Sequence, residues 1–242
     1  MDGCRAESGG VAVSGNTITD APYCAITCGG GPHIVERNRI RRCMTVLHDG
    51  AAIYCSRGRR TVIRGNYVSE ISGRAAHACY FDEMSSLCVC EGNVFIDIEN
   101  VVNNHLSSHC VYRNNFFFCH GTMRVALLRS AHFLFEENIF AATEAVCFES
   151  SFMANEIRWD FKDVLQLRAN LVWAPAGIRY RSSLNYGERP LYDGDFPPNP
   201  GVIRLNPNVI YTPEGAPVVA EDSPLRWLGV SAPDVHEAGA HE

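Results

Sequence analysis

An asparagine recurs along this chain in one fixed setting, and its spacing restricts the fold more than any other feature. The intervals between successive asparagines are 22, 28, 27, 22, 23 and 32 residues. The recurring positions are Asn16, Asn38, Asn66, Asn93, Asn115, Asn138 and Asn170. A repeat with a period in this range predicts a solenoid, in which each repeat forms one coil and stacks on the next.

Apolar positions frame each of these asparagines. An apolar or thiol side chain stands three residues before it: Val13, Val35, Ile63, Cys90, Tyr112, Phe135 and Leu167. Another apolar side chain stands two residues after it: Ile18, Ile40, Val68, Phe95, Phe117, Phe140 and Val172. The residue two positions before is polar in every repeat: Ser14, Glu36, Arg64, Glu91, Arg113, Glu136 and Arg168. Short strands around a polar turn predict an all-β fold, a single-stranded right-handed parallel β-helix whose asparagines bond to the turns of neighbouring coils.

A second set of strands precedes the asparagines by about a dozen residues. Counting back thirteen residues from successive asparagines predicts one stack: Ala25, Ile53, Tyr80, Val102 and Val125. In this register Asp82 and Asn104 both fall two residues after the stacked position. We therefore expect them in one column, about one coil or roughly 4.8 Å apart. Asp49 begins its strand, so it should lie at the other end of the same sheet.

The repeat predicts a β-helix domain over residues 10–173 and an irregular tail over residues 174–242. The tail contains a run of prolines, including Pro197, Pro198 and Pro200, which central strands do not tolerate. We expect it to lie along the helix or to cover its open end. The first recognisable coil begins at Gly10, so the sequence predicts either a truncated chain or an end-to-end contact between copies at an uncapped N-terminal end.

Composition argues against several functions. The net charge of −6 disfavours a nucleic-acid partner, which requires a basic face. No apolar run is long enough to span a bilayer, so no membrane partner is expected. Residues 1–10 lack the apolar core of a secretory signal, which leads us to expect a cytoplasmic protein or an N-terminally truncated piece of a longer one.

The chain contains eleven cysteines but no pair of CxxC units. Cys88 and Cys110 both lie five residues before their asparagine, so they should occupy equivalent inward positions in adjacent coils. Buried reduced cysteine behaves as a small apolar side chain. We therefore predict reduced thiols in the core and no metal site, with disulfides or a metal as the alternative.

Chemically capable residues concentrate on the coils between residues 48 and 105. Carboxylates that open on a cleft beside amides, histidine and tyrosines are the arrangement that glycosidic hydrolysis uses. Asp49 and Asp82 are the predicted catalytic pair. The predicted substrate-binding residues, which would contact sugar hydroxyls, sugar rings or acidic groups, are His48, Tyr54, Arg74, Tyr80, Glu83, Asn104 and His105. The expected partner is a polysaccharide or oligosaccharide, and no cofactor is expected.

Four runs carry a resemblance to a known family: HDGAAIY, TVIRGNYVSEI, YFDEMSS and CEGNVF. They resemble right-handed parallel β-helix proteins of bacterial polysaccharide breakdown, particularly the subgroup around glycoside hydrolase family 141, with its D-[AG]-G-A-I-Y and Y-L-D-D runs. The resemblance covers residues 10–145 and the ending SPLRWLG. It implies that Asp49 and Asp82 form the catalytic pair. The chain departs from the family at Ala51 and Glu83, and it has Asn103-Asn104-His105 in place of a glycine-rich loop.

Two other functions remain open at the level of sequence. A polysaccharide lyase or epimerase on the same fold would need a lysine or arginine base, and often Ca²⁺ held by acidic residues. The only lysine, Lys162, lies beyond residue 145, so this alternative depends on an arginine such as Arg74. The last possibility is a glycan-binding or structural β-helix without catalytic activity.

Overall fold

In the computed structural model, the described residues are 4–6, 10–71, 73, 75–156, 158–211, 217–227 and 233–239. Three long sheets run side by side along the molecule, and each coil contributes one strand to each sheet. Strands are numbered in chain order. The first sheet contains, in spatial order, β1 (Cys4–Ala6), β4 (Ile26–Gly29), β7 (Gly50–Ser56), β10 (Ala76–Asp82), β13 (Asn100–His105), β16 (Met123–Leu128), β19 (Val146–Phe152), β22 (Ile178–Leu184) and β23 (Arg189–Asp195).

The other two long sheets are made of shorter strands. The second sheet contains β2 (Ala12–Ser14), β5 (Ile34–Glu36), β8 (Val62–Arg64), β11 (Val89–Glu91), β14 (Val111–Arg113), β17 (Phe133–Glu136) and β20 (Leu165–Arg168). The third contains β3 (Thr17–Thr19), β6 (Arg39–Arg41), β9 (Tyr67–Ser69), β12 (Val94–Ile96), β15 (Phe116–Cys119), β18 (Ile139–Ala142), β21 (Asn170–Trp173) and β24 (Val202–Arg204). Neighbouring strands from successive coils pair in parallel, as in β10 with β13 and β11 with β14. The predicted right-handed parallel β-helix is confirmed.

Little else interrupts this architecture in the described part of the chain. β22 and β23 pair antiparallel, as do β25 (Val209–Tyr211) and β26 (Pro217–Val219). The helical segments are α1 (Phe161–Val164), a 3₁₀ turn (Asn185–Gly187) and α2 (Pro224–Trp227). None of these helices has the length and apolarity that crossing a bilayer requires.

The asparagines form a continuous hydrogen-bonded ladder at the corner between the second and third sheets. The Oδ1 atom of each asparagine after Asn16 accepts from the backbone N–H and from the Nδ2 of the asparagine one coil earlier, at 2.9–3.1 Å. Each Nδ2 after the first also donates to a backbone carbonyl of the preceding coil, as Asn93 does to Ile63 at 2.9 Å. The ladder therefore satisfies the polar backbone of a buried corner.

The apolar positions around the asparagines fill the interior. Phe95, Phe117 and Phe140 stack one above another, with ring centroids 5.1 and 4.9 Å apart. Tyr112 and Phe135 form a second stack at 4.8 Å. All five side chains are fully buried. Like residues therefore lie above like residues, as the repeat predicts.

The predicted stack in the first sheet is wrong by one residue in two coils. The observed column is Ile26, Ile53, Cys79, Val102 and Val125. Ala25 and Tyr80 do not belong to it, because the connection from this column to the next asparagine varies from 12 residues after Ile26 to 14 after Cys79. Since side chains alternate between faces, a one-residue slip moves a side chain to the opposite face of the sheet.

The solenoid extends beyond the predicted boundary at residue 173. β22 pairs in parallel with β19, and β24 pairs in parallel with β21, so residues 174–204 continue the coils. The prolines that suggested an irregular tail lie in the connection between β23 and β24. Beyond this, Leu225 and Ala238 pack on the outer face of the third sheet.

At the N-terminal end of the solenoid, β1 pairs with β4 and lies ahead of the predicted start at Gly10. The end-to-end contact between copies stays a prediction.

Ten cysteines have described side chains, and all ten are buried as thiols without a disulfide. Cys88 and Cys110 hold equivalent positions in adjacent coils, since Val89 pairs with Val111. Burial raises the pKa of the Cys43 thiol to about 12. These side chains act as small core residues, in agreement with the sequence prediction.

Candidate functional site

A groove crosses the outer face of the first sheet from β10 to β22 and encloses about 780 Å³. Outward-facing side chains of successive coils form its floor. Tyr80 of β10, Asn103 of β13 and Ala126 of β16 follow one another in register along this floor. Tyr186, Pro190 and Tyr192, which come after β22, form a wall on the C-terminal side.

Asp82 ends β10 at one edge of the groove and is held by three donors. The Tyr54 hydroxyl donates to its Oδ2 at 2.6 Å. The backbone N–H of Glu83 donates to its Oδ1 at 2.8 Å, and His105 Nδ1 lies 2.9 Å from the same oxygen. Burial alone would raise the pKa of Asp82, but these hydrogen bonds outweigh it and hold the pKa below its usual value. Asp82 is therefore a stable carboxylate.

Glu83 brings a second carboxylate to the same place. Adjacent residues in a strand point to opposite faces, but Glu83 has a φ of 49° and turns the chain at the end of β10. As a result, polar atoms of Asp82, Glu83 and His105 lie within 4.8 Å of one another. Two carboxylates and an imidazole are possible metal ligands. In this arrangement, however, the short contact between His105 and Asp82 is a hydrogen bond, so we interpret the group as an acid–base cluster.

Tyr186 extends this cluster from the C-terminal part of the chain. Its hydroxyl lies 2.9 Å from His105 Nε2 and accepts a hydrogen bond from Arg129 at 3.0 Å. Arg129 is held in turn by an ion pair with Glu156. With the His105 Nδ1–H donating to Asp82, the Nε2 atom is free to accept from the Tyr186 hydroxyl. The result is a hydrogen-bonded chain from Tyr186 through His105 to Asp82.

The backbone at Tyr186 is strained. Its φ and ψ angles are 55° and 37°, in the left-handed region that bulky side chains avoid. The preceding residue, Asn185, has a φ of 51°. The Tyr186 N–H donates to Ser151 Oγ at 2.8 Å, which helps to hold the turn in place. Strain of this kind persists where surrounding contacts impose it, and it often marks functional sites.

Asp49, the other predicted catalytic residue, lies at the far end of the groove. It is exposed, has a φ of 59°, and its backbone carbonyl accepts from the Tyr23 hydroxyl at 3.0 Å. Gly50, the residue after Asp49, pairs with Ala76 at the start of β10. Asp82 is the last residue of the same strand. The length of β10 therefore separates the two Cα atoms by roughly 20 Å. Asp49 therefore lies at the other end of the sheet, as its place at the start of β7 predicts, and both aspartates line the groove. At this separation they do not approach the roughly 5–10 Å spacing of a catalytic carboxylate pair.

The two predicted tyrosines have different roles. Tyr80 lines the groove, and burial raises its pKa with help from the charges of Asp82 and Asp49. Tyr54 packs edge-on against Tyr80, with ring centroids 5.1 Å apart. The Tyr54 hydroxyl is committed to Asp82, and burial together with this bond raises its pKa. Tyr80 is thus placed to contact a ligand, while Tyr54 orients the carboxylate.

Three other predicted site residues do not reach the groove or cannot be placed. Asn104 is fully buried and accepts from the Tyr112 hydroxyl at 2.9 Å, so its expected column with Asp82 is wrong. The one-residue slip described above explains this, because Asn104 pairs with Phe81 and both face the core. His48 is exposed beside Gly73 and does not line the groove. Arg74 lies outside the described residues.

Sequence reasoning missed several groove residues. His77, Asn103 and Arg124 line the floor, and burial lowers the pKa of His77 to about 4, so its ring is neutral at neutral pH. Asn103 and Arg124 lie on outward positions that a correct register would have found. Tyr186 carried no sequence signal, because it lies 81 residues from His105 in a segment expected to be irregular.

The comparisons with known proteins return no match: no family model, no curated protein and no solved structure is similar to this chain. The fold and groove define a parallel β-helix protein with an acid–base cluster on its first sheet.

Proposed function

We propose that this chain is a carbohydrate-active protein that binds an oligosaccharide or polysaccharide along the groove and cleaves an O-glycosidic bond at its Asp82 end. The observation that carries the proposal is the close pair of carboxylates, Asp82 and Glu83, at the edge of an open polar groove. An elongated groove with aromatic and polar side chains suits a chain of sugar rings, which present both hydroxyls and apolar faces.

In the hydrolytic reaction, the two carboxylates take different roles because their surroundings differ. Asp82 accepts three hydrogen bonds and stays ionised, which suits a nucleophile or a base. Glu83 is more exposed, at 43% of its side chain, and in its protonated form would donate its proton to the leaving oxygen. Oxygens of the two carboxylates lie within 4.8 Å of each other, which is nearer to the separation of about 5–5.5 Å in retaining glycosidases than to the roughly 6.5–9.5 Å of inverting ones. In retaining enzymes the nucleophile forms a glycosyl-enzyme ester that water then hydrolyses.

Replacing Glu83 by glutamine tests this assignment. We expect turnover of a responsive glycan to fall by about 10²–10⁴-fold, since the general acid is lost. The measurement is release of reducing ends from a panel of plant and bacterial oligosaccharides. Glu137→Gln is the matched control: it removes an exposed carboxylate beside the asparagine ladder, away from the groove, and should leave the rate within a few-fold.

The outcomes separate the alternatives. Loss of turnover in Asp49→Asn with full activity in Glu83→Gln would contradict the pair proposed here. Glycan binding without turnover by the unmodified protein would instead identify a non-catalytic glycan-binding β-helix. Absence of both binding and turnover across the panel would remove the carbohydrate assignment itself.

A lyase or epimerase is the second candidate, and the Tyr186 hydroxyl between His105 and Arg129 favours it. In this reaction the Tyr186 hydroxyl first passes its proton to His105 Nε2, and the resulting oxyanion, stabilised by Arg129, removes the proton next to a sugar carboxylate. The C–O bond to the leaving group then breaks, a C=C bond forms, and the leaving oxygen takes up the proton from Tyr186. This route uses tyrosine in place of the lysine or arginine base expected from sequence.

Tyr186→Phe distinguishes the two reactions. If cleavage is an elimination, the product absorbs in the ultraviolet, and we expect this variant to lose about 10²–10⁴-fold in rate. If cleavage is hydrolysis, saturated reducing ends appear and the loss should be below about tenfold, because the hydroxyl takes no part in that reaction and the aromatic ring remains. Product absorbance and reducing ends are measured on the same samples, so each result selects one reaction.

A further inference from the structure

The outer faces of the three sheets differ in what covers them. The first sheet bears the groove. The third sheet carries large apolar side chains on its outside, including Phe116 and Ile139, and Leu225 and Ala238 from the C-terminal part of the chain pack against them. The second sheet also carries outward apolar side chains, but they remain partly exposed in the described part of the chain.

Two parallel columns make up the outer face of the second sheet, which we call the ladder face. One column is apolar over most of its length: Ala12, Ile34, Val62, Val89, Val111, Leu134 and Gln166. The other is polar and alternates in sign after its first residue: Ser14, Glu36, Arg64, Glu91, Arg113, Glu136 and Arg168. Both columns follow the strand register without a bulge.

Neighbouring opposite charges in the polar column form ion pairs within one chain. Arg64 binds Glu36 at 2.7 Å, Arg113 binds Glu91 at 2.6 Å, and Arg168 binds Glu136 at 2.9 Å. The three arginine side chains nevertheless remain 49%, 48% and 65% exposed. Exposed pairs of this type contribute little to the stability of a single chain. Their regular order therefore calls for a different explanation.

The order of charges is self-complementary under a two-fold rotation. A two-fold axis parallel to the strands and midway between β11 and β14 places the second copy antiparallel along the solenoid. Glu36 then faces Arg168 of the second copy, Arg64 faces Glu136, and Glu91 faces Arg113. Each contact occurs twice, and every one joins opposite charges. The same rotation places Val89 against Val111 and Val62 against Leu134, so the apolar columns also meet.

We propose that the ladder face is the contact surface of an antiparallel homodimer of this chain. A symmetric dimer uses one self-complementary patch on both subunits, which is the property that these columns have. The strands are three or four residues long, so the face measures roughly 10 by 29 Å. This is below the size of most stable interfaces, so the dimer is weak, and its ion pairs make it sensitive to salt. The groove lies on another sheet and stays open in the dimer.

Charge reversal at one contact tests the proposal. Sedimentation velocity over a concentration series should show self-association of the unmodified protein at low ionic strength and less at high salt. Arg64→Glu creates two repulsive contacts with Glu136 of the second copy, and Glu136→Arg creates two with Arg64. We expect each variant alone to associate at least about tenfold more weakly. Arg189→Glu changes the charge equally at an exposed site on β23 and should associate like the unmodified protein.

Mixing the two variants separates a lost contact from a misfolded chain. In a mixed dimer, the new acidic side chain of the Arg64→Glu variant faces the new basic side chain of the Glu136→Arg variant, so every charged contact between the two copies again joins opposite charges. We therefore expect the equimolar mixture to regain the association of the unmodified protein. Any of three results overturns the proposal: the unmodified protein stays monomeric throughout the series, one of the variants alone associates as strongly as the unmodified protein, or the mixture stays monomeric.

Discussion

Asp82→Asn is expected to reduce turnover of a responsive glycan by about 10²–10⁴-fold while leaving the fold intact. The asparagine keeps the size of the side chain and can still accept from the Glu83 N–H and from His105. The Tyr54 hydroxyl can rotate to accept from the new amide. What is lost is the negative charge, which both candidate reactions need: hydrolysis uses it directly, and elimination uses it to hold the proton on His105 Nδ1. Steady-state kinetics and a thermal unfolding curve on the same preparation measure the two effects.

Asp97→Asn is the matched control, because Asp97 is an exposed aspartate on the third-sheet side of the chain. Its turnover should equal that of the unmodified protein. Unchanged turnover in Asp82→Asn would show that neither reaction proceeds through this cluster. A fall in the unfolding temperature as large as that of a core substitution would instead assign Asp82 a structural role.

The lowered pKa of Asp82 fixes the direction of its pH dependence. Its carboxylate is stabilised in the folded protein, so the stabilisation is present above the pKa of an unfolded aspartate and is lost as pH falls through the lower folded value. Activity that depends on ionised Asp82 should follow the same course. Its acid limb therefore lies below the range of an ordinary aspartate.

Asn93→Ala is expected to lower the free energy of unfolding by about 3–5 kcal/mol, the largest stability effect we foresee from a single polar side chain. The Oδ1 of Asn93 accepts from the backbone N–H and the Nδ2 of Asn66, both at 2.9 Å. Its Nδ2 donates to the Ile63 carbonyl at 2.9 Å. Alanine leaves these groups unpaired in a fully buried corner, and each such group costs about 1–3 kcal/mol. Urea unfolding followed by circular dichroism gives the change.

Asn16→Ala removes the same side chain at the exposed end of the ladder and is the control. Asn16 donates to Asn38, but water can replace this contact because the site is open. We expect a loss below about 1 kcal/mol. Equal losses at Asn16 and Asn93 would mean that the ladder contributes through local turn geometry and not through buried hydrogen bonds.

Much of the fold could be predicted from the sequence because the asparagine ladder ties two of the three sheets to fixed offsets. The positions three before and two after each asparagine stack as expected from Val13 to Leu167 and from Ile18 to Val172. These strands flank the corner directly, so the asparagine fixes their register. The first sheet is separated from the ladder by turns of unequal length, and there the prediction slipped by one residue.

The candidate site was predicted only in part, for the same reason. Asp82, Glu83, Tyr80 and His105 were found because local runs around β10 and β13 carry them. Asn104 was misplaced because its face depends on the register of the first sheet. Tyr186 and Arg129 could not be predicted, since their contacts with His105 join coils that are distant in sequence and depend on where the chain goes after β22.

The join between His105 and Tyr186 also limits how such a chain can change in length over evolution. β13 and β22 are three strands apart in the first sheet. Tyr186, which follows β22, reaches back across the intervening strands to contact His105 on β13. Gain or loss of a whole coil before β10 would leave this distance unchanged. The same event between β13 and β22 would shift Tyr186 by roughly 4.8 Å and break the contact. The number of coils can therefore change before β10 without affecting the site, whereas the number between β13 and β22 must stay constant.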